Sequence, residues 1–168
     1  MKHCEAILSL GSNQGDRLAW LKRAGLELLA LPDTSCVAFS PVYETEPVGV
    51  SSEFAGLNFL NCVVIVQTGL SPESFSAAIH AVEDRLGRTR GDTPNLPRTI
   101  DIDIIAFGAL RLESPSLTLP HPRARGRRFV LQPLADLRPG FVFPGDSKTV
   151  ADLLSALPPF PQVTRYDV

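Results

Sequence analysis

Three cysteines in 168 residues, Cys4, Cys36 and Cys62, are too few and too scattered for a disulfide framework or a zinc site. Each lies in an apolar stretch and reads as a buried free thiol of a reducing compartment. No apolar run approaches the ~18 residues that a membrane span needs. The apolar stretch and small-residue cleavage site of a signal peptide are missing as well. Cys4–Leu10 is short, carries Glu5 and runs into Gly11-Ser12-Asn13. Charged residues make up only 20% of the chain against 44% hydrophobic, the reverse of the disorder signature. Neither G-x-x-x-x-G-K-[ST] nor G-x-G-x-x-G occurs, so the P-loop and Rossmann ways of cradling phosphates are not indicated. The protein-kinase signature set is absent too. No internal repeat, low-complexity tract or domain boundary is visible. The expectation is one soluble, cytoplasmic domain spanning residues 1–168.

What the chain does have is an uneven charge distribution. The net charge is only −2, yet nine arginines and no lysine fall between residues 85 and 128. Only Asp92, Asp101, Asp103 and Glu113 oppose them there. Arginine is favoured where phosphate or carboxylate is recognised by a flat, two-pronged donor. A solvated basic face is the plainer explanation of the cluster.

Periodicity lays out the elements. Cys4–Leu10 reads as a strand stopped by a turn-rich cluster. Leu18, Leu21, Gly25 and Leu28 recur at helical spacing from Asp16 until Pro32 ends the run. Cys36–Tyr43 and Leu57–Thr68 are β-branched and aromatic, hence strands, separated by a long loop over Glu44–Gly56. Ser71-Pro72 marks a helix start, Phe75, Ile79, Val82 and Leu86 its core face, and Gly87 its end. Thr99–Phe107 is a further strand. The order β-α-β-β-α-β predicts an α/β (α+β), ferredoxin-like sheet with its helices packed on one face. Eleven of the fifteen prolines lie beyond residue 90. They predict a loop-rich C-terminal extension with short strands and one terminal helix near Thr149–Leu157.

The sharpest chemical signal is Arg98-Thr99-Ile100-Asp101-Ile102-Asp103-Ile104-Ile105. Side chains alternate faces along a strand, so Ile100, Ile102 and Ile104 fill the core side while Asp101 and Asp103 share the other, ~6.6 Å apart. They can converge on one cation or on a close pair of cations. Two aspartates on an apolar strand repel one another, and their desolvation is costly unless a counter-charge is present. Hard oxygen ligands suit magnesium, which shares its shell with waters and substrate phosphates. With Arg88, Arg90, Arg98, Arg123, Arg125, Arg127 and Arg128 nearby in sequence, the combination describes a polyphosphate site. The plainer alternative is an exposed strand face carrying two solvated aspartates.

Taken in order, these fragments resemble the 6-hydroxymethyl-7,8-dihydropterin pyrophosphokinase family over nearly the whole chain. The resemblance rests on Leu10-Gly11-Ser12-Asn13, Ser40-Pro41-Val42-Tyr43-Glu44-Thr45-Glu46-Pro47 and Phe59-Leu60-Asn61. It continues through Glu83 with Gly87-Arg88-Thr89-Arg90, through Pro97–Asp103, and through Leu119-Pro120-His121-Pro122 with Arg127 and Phe129. It implies magnesium-dependent transfer of pyrophosphate from ATP to a pterin alcohol, with two magnesium ions accompanying ATP. Asp101 and Asp103 would ligate metal and, with Arg88 and Arg98, form the catalytic group. His80, Glu83, Arg88, Arg90, Arg98, Ile104, Thr118, His121 and Arg127 would contact ATP. Thr45, Glu46, Val48, Phe59, Asn61 and Phe129 would hold the pterin, the two rings as a sandwich and Asn61 with Thr45 at its edge. A monomer that contacts neither nucleic acid nor membrane is expected. Where the family commonly carries a basic residue and an aromatic before Pro97-Arg98, this chain reads Pro94-Asn95-Leu96, which predicts slower turnover. A paralogue acting on a related pterin, a nucleotidyltransferase and an RNA-binding ferredoxin-like module are the alternatives. The acidic residues on strand Thr99–Phe107 stand in place of the basic-aromatic pattern of an RNA-binding sheet.

Overall fold

The computed structural model describes residues 2–88 and 96–168. Strand β1 (Cys4–Ser12) lies at the centre of a sheet, paired antiparallel with β4 (Phe59–Thr68) on one side and β5 (Asp101–Phe107) on the other. Strands β2 (Thr34–Phe39) and β3 (Tyr43–Thr45) both pair with β4. The C-terminal β8 (Val163–Arg165) adds to the edge of β3. A separate two-stranded ribbon, β6 (Leu112–Glu113) with β7 (Thr118–Leu119), lies off the sheet. The antiparallel order β5-β1-β4-β2 is that of a ferredoxin-like sheet, as the element order predicts.

Helix α1 (Arg17–Leu29) starts where the Asp16 carboxylate accepts the Ala19 N–H at 3.1 Å. Helix α2 (Pro72–Arg85) starts with the Ser71 hydroxyl accepting from Ser74, and ends before Gly87 at φ +81°, a conformation that favours glycine. Their apolar faces cover one side of the sheet. Leu21, Leu28, Phe75, Ile79 and Val82 meet Leu8, Leu10, Val64, Ile102 and Ile104 there.

The other side is covered as well, which corrects the expectation of helices on one face. Helix α3 (Arg128–Leu137) and helix α4 (Val150–Ala156) pack Val130, Leu131, Leu134 and Val150 against Ile7, Val63, Ile65 and Ile105. The alternating side chains of one sheet therefore feed two cores, and burying each large apolar side chain contributes ~1.5–3 kcal/mol. Helix α3 corrects the expectation of loops over this proline-rich part, since it forms with Pro133 inside it. The expected strand Cys36–Tyr43 is in fact two. Pro41 has no N–H for the ladder, and Ser40 bridges the gap by donating to the Val63 carbonyl while its hydroxyl accepts the Val63 N–H. The expected Glu44–Gly56 loop begins inside β3 and holds one short turn of helix at Ser52–Phe54. The Tyr43 hydroxyl donates to Asp136 and so ties β3 to α3. Among the described residues no helix is long and apolar enough to cross a membrane.

Candidate active site

Two helices cover only part of the second sheet face. Towards the Ser12 end of β1 the face stays open, and there it forms the floor of a cavity of about 420 Å³, a size suited to a small ligand. Its floor includes Ser9, Gly11, Asn61, Asp101 and Asp103, from three neighbouring strands. Ser9 is paired with Asp103 and Gly11 with both Asp101 and Asn61, so the register itself brings the acidic pair beside Asn61. A Cβ at Gly11 would stand 2.8 Å from Asn61 Oδ1, so a larger residue there would displace the Asn61 amide. Arg127 and Phe129 enter from the turn before α3 and its first residues, Glu46 and Val48 from the loop after β3.

One end of the cavity is aromatic and hydrogen-bonding. Phe59 and Phe129 are half-buried, and Asn61 Nδ2 donates to Thr45 Oγ1 at 2.6 Å, both side chains being buried. Each ring carries a guanidinium on its face, Arg98 over Phe59 at 5.8 Å and Arg127 over Phe129 at 5.4 Å. Faces that attract a flat cation also suit a flat heteroaromatic ring.

The other end is a charge network. Asp101 is gripped at both oxygens, Oδ1 by Arg88 at 2.6 Å and Oδ2 by Arg98 at 3.0 Å. Arg88 also donates to Glu83, which is 1% exposed and whose carboxylate accepts the Ile102 N–H at 2.9 Å. Burial pushes Glu83 up from its ordinary pKa, while the Ile102 N–H and Arg88 pull it down. Among the described residues Asp103 is held more loosely, with Arg127 4.0 Å away. Burial and then the negative charge of Asp101 push its carboxyl up to about 6. A carboxyl so raised is an unbalanced negative site, and a hard cation is what would balance it.

His121 is half-buried, its backbone N–H donating to the Ile105 carbonyl at 2.9 Å. Burial, then Arg127 and Arg123, depress it to about 4, so the imidazole is neutral at ordinary pH. Its Nδ1 accepts the Arg123 N–H at 3.2 Å, which leaves the hydrogen on Nε2, a donor suited to phosphate.

The structure thus brings Thr45, Glu46, Val48, Phe59, Asn61, Arg98, Asp101, Asp103, Arg127 and Phe129 to one cavity. Arg88 and Glu83 stand behind it and reach it through Asp101. Thr118 and His121 do not line it, and His80 is exposed on α2. The Ile104 side chain lies in the α1–α2 core on the opposite face, where strand alternation puts it. Arg90, Pro94 and Asn95 lie outside the described residues. Sequence reasoning missed Asn13, whose Oδ1 accepts the Arg98 N–H at 2.8 Å while its N–H donates to the Arg98 carbonyl at 3.2 Å. It also missed the tail residues Leu157, Pro158, Phe160 and Pro161, which form an outer wall of the cavity.

Comparison with known proteins agrees with this geometry. A Pseudomonas aeruginosa 2-amino-4-hydroxy-6-hydroxymethyldihydropteridine pyrophosphokinase is 38% identical over 151 residues, covering 90% of this chain and 90% of that protein. The Bacillus subtilis protein of the same name is 39% identical over 132 residues, covering 79% and 77%. A crystal structure of Plasmodium falciparum HPPK-DHPS shares the fold with a TM-score of 0.71 at 16% identity, covering 92% of this chain and 45% of that one. The family model for 7,8-dihydro-6-hydroxymethylpterin-pyrophosphokinase matches residues 7–139, and the chain belongs to that family.

Proposed function

We propose that the cavity between β1, β4, β5 and α3 is where pyrophosphate passes from ATP to the hydroxymethyl oxygen of the dihydropterin, with magnesium held at Asp101 and Asp103. By its family the chain is an ATP-using pyrophosphokinase of folate synthesis that acts on hydroxymethyldihydropterin. The observation that carries the residue assignment is the shared cavity. A pair of carboxylates and an aromatic, amide-lined slot open into the same space.

The donor set fits magnesium. Two carboxylates on one strand face supply hard oxygens, and the raised Asp103 carboxyl gains most from a cation beside it. Bound there, magnesium would supply charge neutralisation to the phosphates. Both Asp101 oxygens are engaged by arginines, so Arg88 and Arg98 would have to turn aside for Asp101 to hold a cation. Arg98 would then be available to phosphate oxygens, while Arg88 keeps its bond to the buried Glu83.

Phe59 and Phe129 take the two faces of the pterin, and Thr45 with Asn61 fix its edge, which aims the hydroxymethyl arm at the acidic end. Arg98 and Arg127 leave the rings for phosphate as the pterin takes their place. His121, outside the cavity lining, would donate from Nε2 to a phosphate oxygen that extends past Arg127, without adding charge. The chain thus works by positioning and by fixed charge. The test is incubation with ATP, magnesium and the hydroxymethyl dihydropterin. AMP should appear only when all three are present. AMP formed without the pterin, or turnover that survives chelation, would refute the reading.

A further inference from the structure

We propose that Phe160 is a pterin-contacting residue, a third ring supplied by the C-terminal segment at the aromatic end of the cavity. This rests on the assignment of that end to the pterin.

The segment is fixed at both of its ends, and the fixing points flank the slot. On the α3 side, the Arg128 guanidinium donates from Nε to the Pro158 carbonyl at 3.2 Å. From Nη2 it donates to the carbonyls of Pro158 at 3.1 Å, Leu157 at 3.0 Å and Leu154 at 3.4 Å. Arg128 is the neighbour of Phe129. On the β3 side, β8 pairs with β3 so that Val163 stands opposite Thr45, and the Tyr166 N–H donates to the Val42 carbonyl at 2.8 Å. Residues 157–162 therefore run from the shoulder of Phe129 to that of Thr45. Two of the residues assigned to the pterin, Phe129 and Thr45, thus stand at the segment's two anchor points.

Within this strap, Pro158, Pro159 and Pro161 fix three backbone φ angles and remove three N–H donors. The strap has little freedom left to lose when a ligand arrives. Phe160 is 73% exposed, although it lines the cavity together with Leu157, Pro158 and Pro161. A single exposed phenylalanine is ordinary. A phenylalanine on a stiff, doubly anchored wall, opening on a slot that holds two further phenylalanines, has an apolar face that a bound heteroaromatic would cover.

The experiment is equilibrium binding by calorimetry, with magnesium and a nonhydrolysable ATP analogue present throughout, titrating 6-hydroxymethyl-7,8-dihydropterin into the wild type, Phe160→Ala and Phe160→Tyr. The ATP analogue is titrated separately. Phe160→Ala should bind the pterin about 5- to 30-fold more weakly. Phe160→Tyr should stay near the wild type, and the ATP analogue should bind all three alike. The exposed position should leave the melting temperature unchanged. Unchanged pterin affinity in Phe160→Ala, or an equal loss for both ligands, would overturn the inference alone. A wild type that binds no pterin would overturn the assignment of the cavity and the inference with it.

Discussion

Arg98 reaches Asp101 and lies over Phe59, yet its own place is set by a residue 85 positions earlier. Asn13 is 3% exposed and holds both backbone groups of Arg98, accepting its N–H and donating to its carbonyl. In Asn13→Ala the donation from the Asn13 backbone survives and the side-chain acceptor is lost. The Arg98 N–H is then left without its partner in a part-buried position, which costs about 1–3 kcal/mol. For a chain of this size each kcal/mol moves the melting temperature by roughly 2–4 °C, so a fall of roughly 2–12 °C is expected. The effect on turnover should exceed what stability explains, because Arg98 stands at the entry to β5 immediately before the acidic pair. Displacing a charge-bearing group by ~1 Å can cost on the order of 10²-fold in rate. Asn13→Asp keeps an acceptor for the Arg98 N–H and should recover much of the rate. The assays are thermal melting and steady-state turnover with both substrates saturating. An Asn13→Ala protein that melts lower but keeps its full kcat would reduce the clasp to a structural contact. One unchanged in both measurements would refute the reasoning.

Asp101→Asn and Asp103→Asn should each abolish magnesium-dependent turnover while the protein still folds, checked by AMP release and melting; activity retained in both would sink the metal assignment. Phe59→Ala and Phe129→Ala should weaken pterin binding about 5- to 150-fold and leave ATP binding nearly unchanged, as read by calorimetry. An equal loss for both ligands would mean the rings serve packing. Asp103 gives a pH signature: its folded carboxyl, pushed up to about 6 from an ordinary 3.8, binds a proton more tightly than the unfolded chain does. The stability it contributes is therefore present below the ordinary value and is lost as pH rises through about 6. Ligand-free Asp103→Asn should melt above the wild type at neutral pH, and the gap should close on acidification towards pH 4. A gap independent of pH would refute the assigned cause.

The parts of the fold that were legible are those where one residue pattern answers one surface. The alternation in β1, β4 and β5 and the helical spacing in α1 and α2 reflect a sheet with an apolar layer on each side. The terminal helix expected near Thr149–Leu157 forms over Val150–Ala156, where the Thr149 hydroxyl and backbone exchange hydrogen bonds with Asp152. Helix α3 was not expected, although Val130, Leu131 and Leu134 recur at helical spacing. Pro133 removes one hydrogen bond from a ten-residue helix, and the burial of those three side chains outweighs it. Strands β3 and β8 are three residues each, too short to show a period. Strand β3 exists because β4 extends beyond β2 and offers an open ladder at Phe59–Asn61, and β8 pairs in turn with the free edge of β3.

The site divides along a different line. Asp101 and Asp103 could be read from sequence because strand alternation fixes their common face, and the arginines because charge pairs leave complementary residue types in the chain. The contacts that Asn13 and Arg128 make left no such trace, although both residues stood out by type or motif. Asn13 needs only a backbone N–H and Arg128 only backbone carbonyls, and nearly every residue supplies those groups. Nothing in Arg98, Leu157 or Pro158 as residue types answers to the partner that holds its backbone. Glu83 shows both cases in one side chain. Its contact with Arg88 follows from charge, while its contact with the Ile102 N–H emerges only once α2 is packed against β5. That second contact carries the positioning consequence: it anchors Glu83 to the strand segment between Asp101 and Asp103, so the arginine that Glu83 holds moves with the carboxylates it must neutralise.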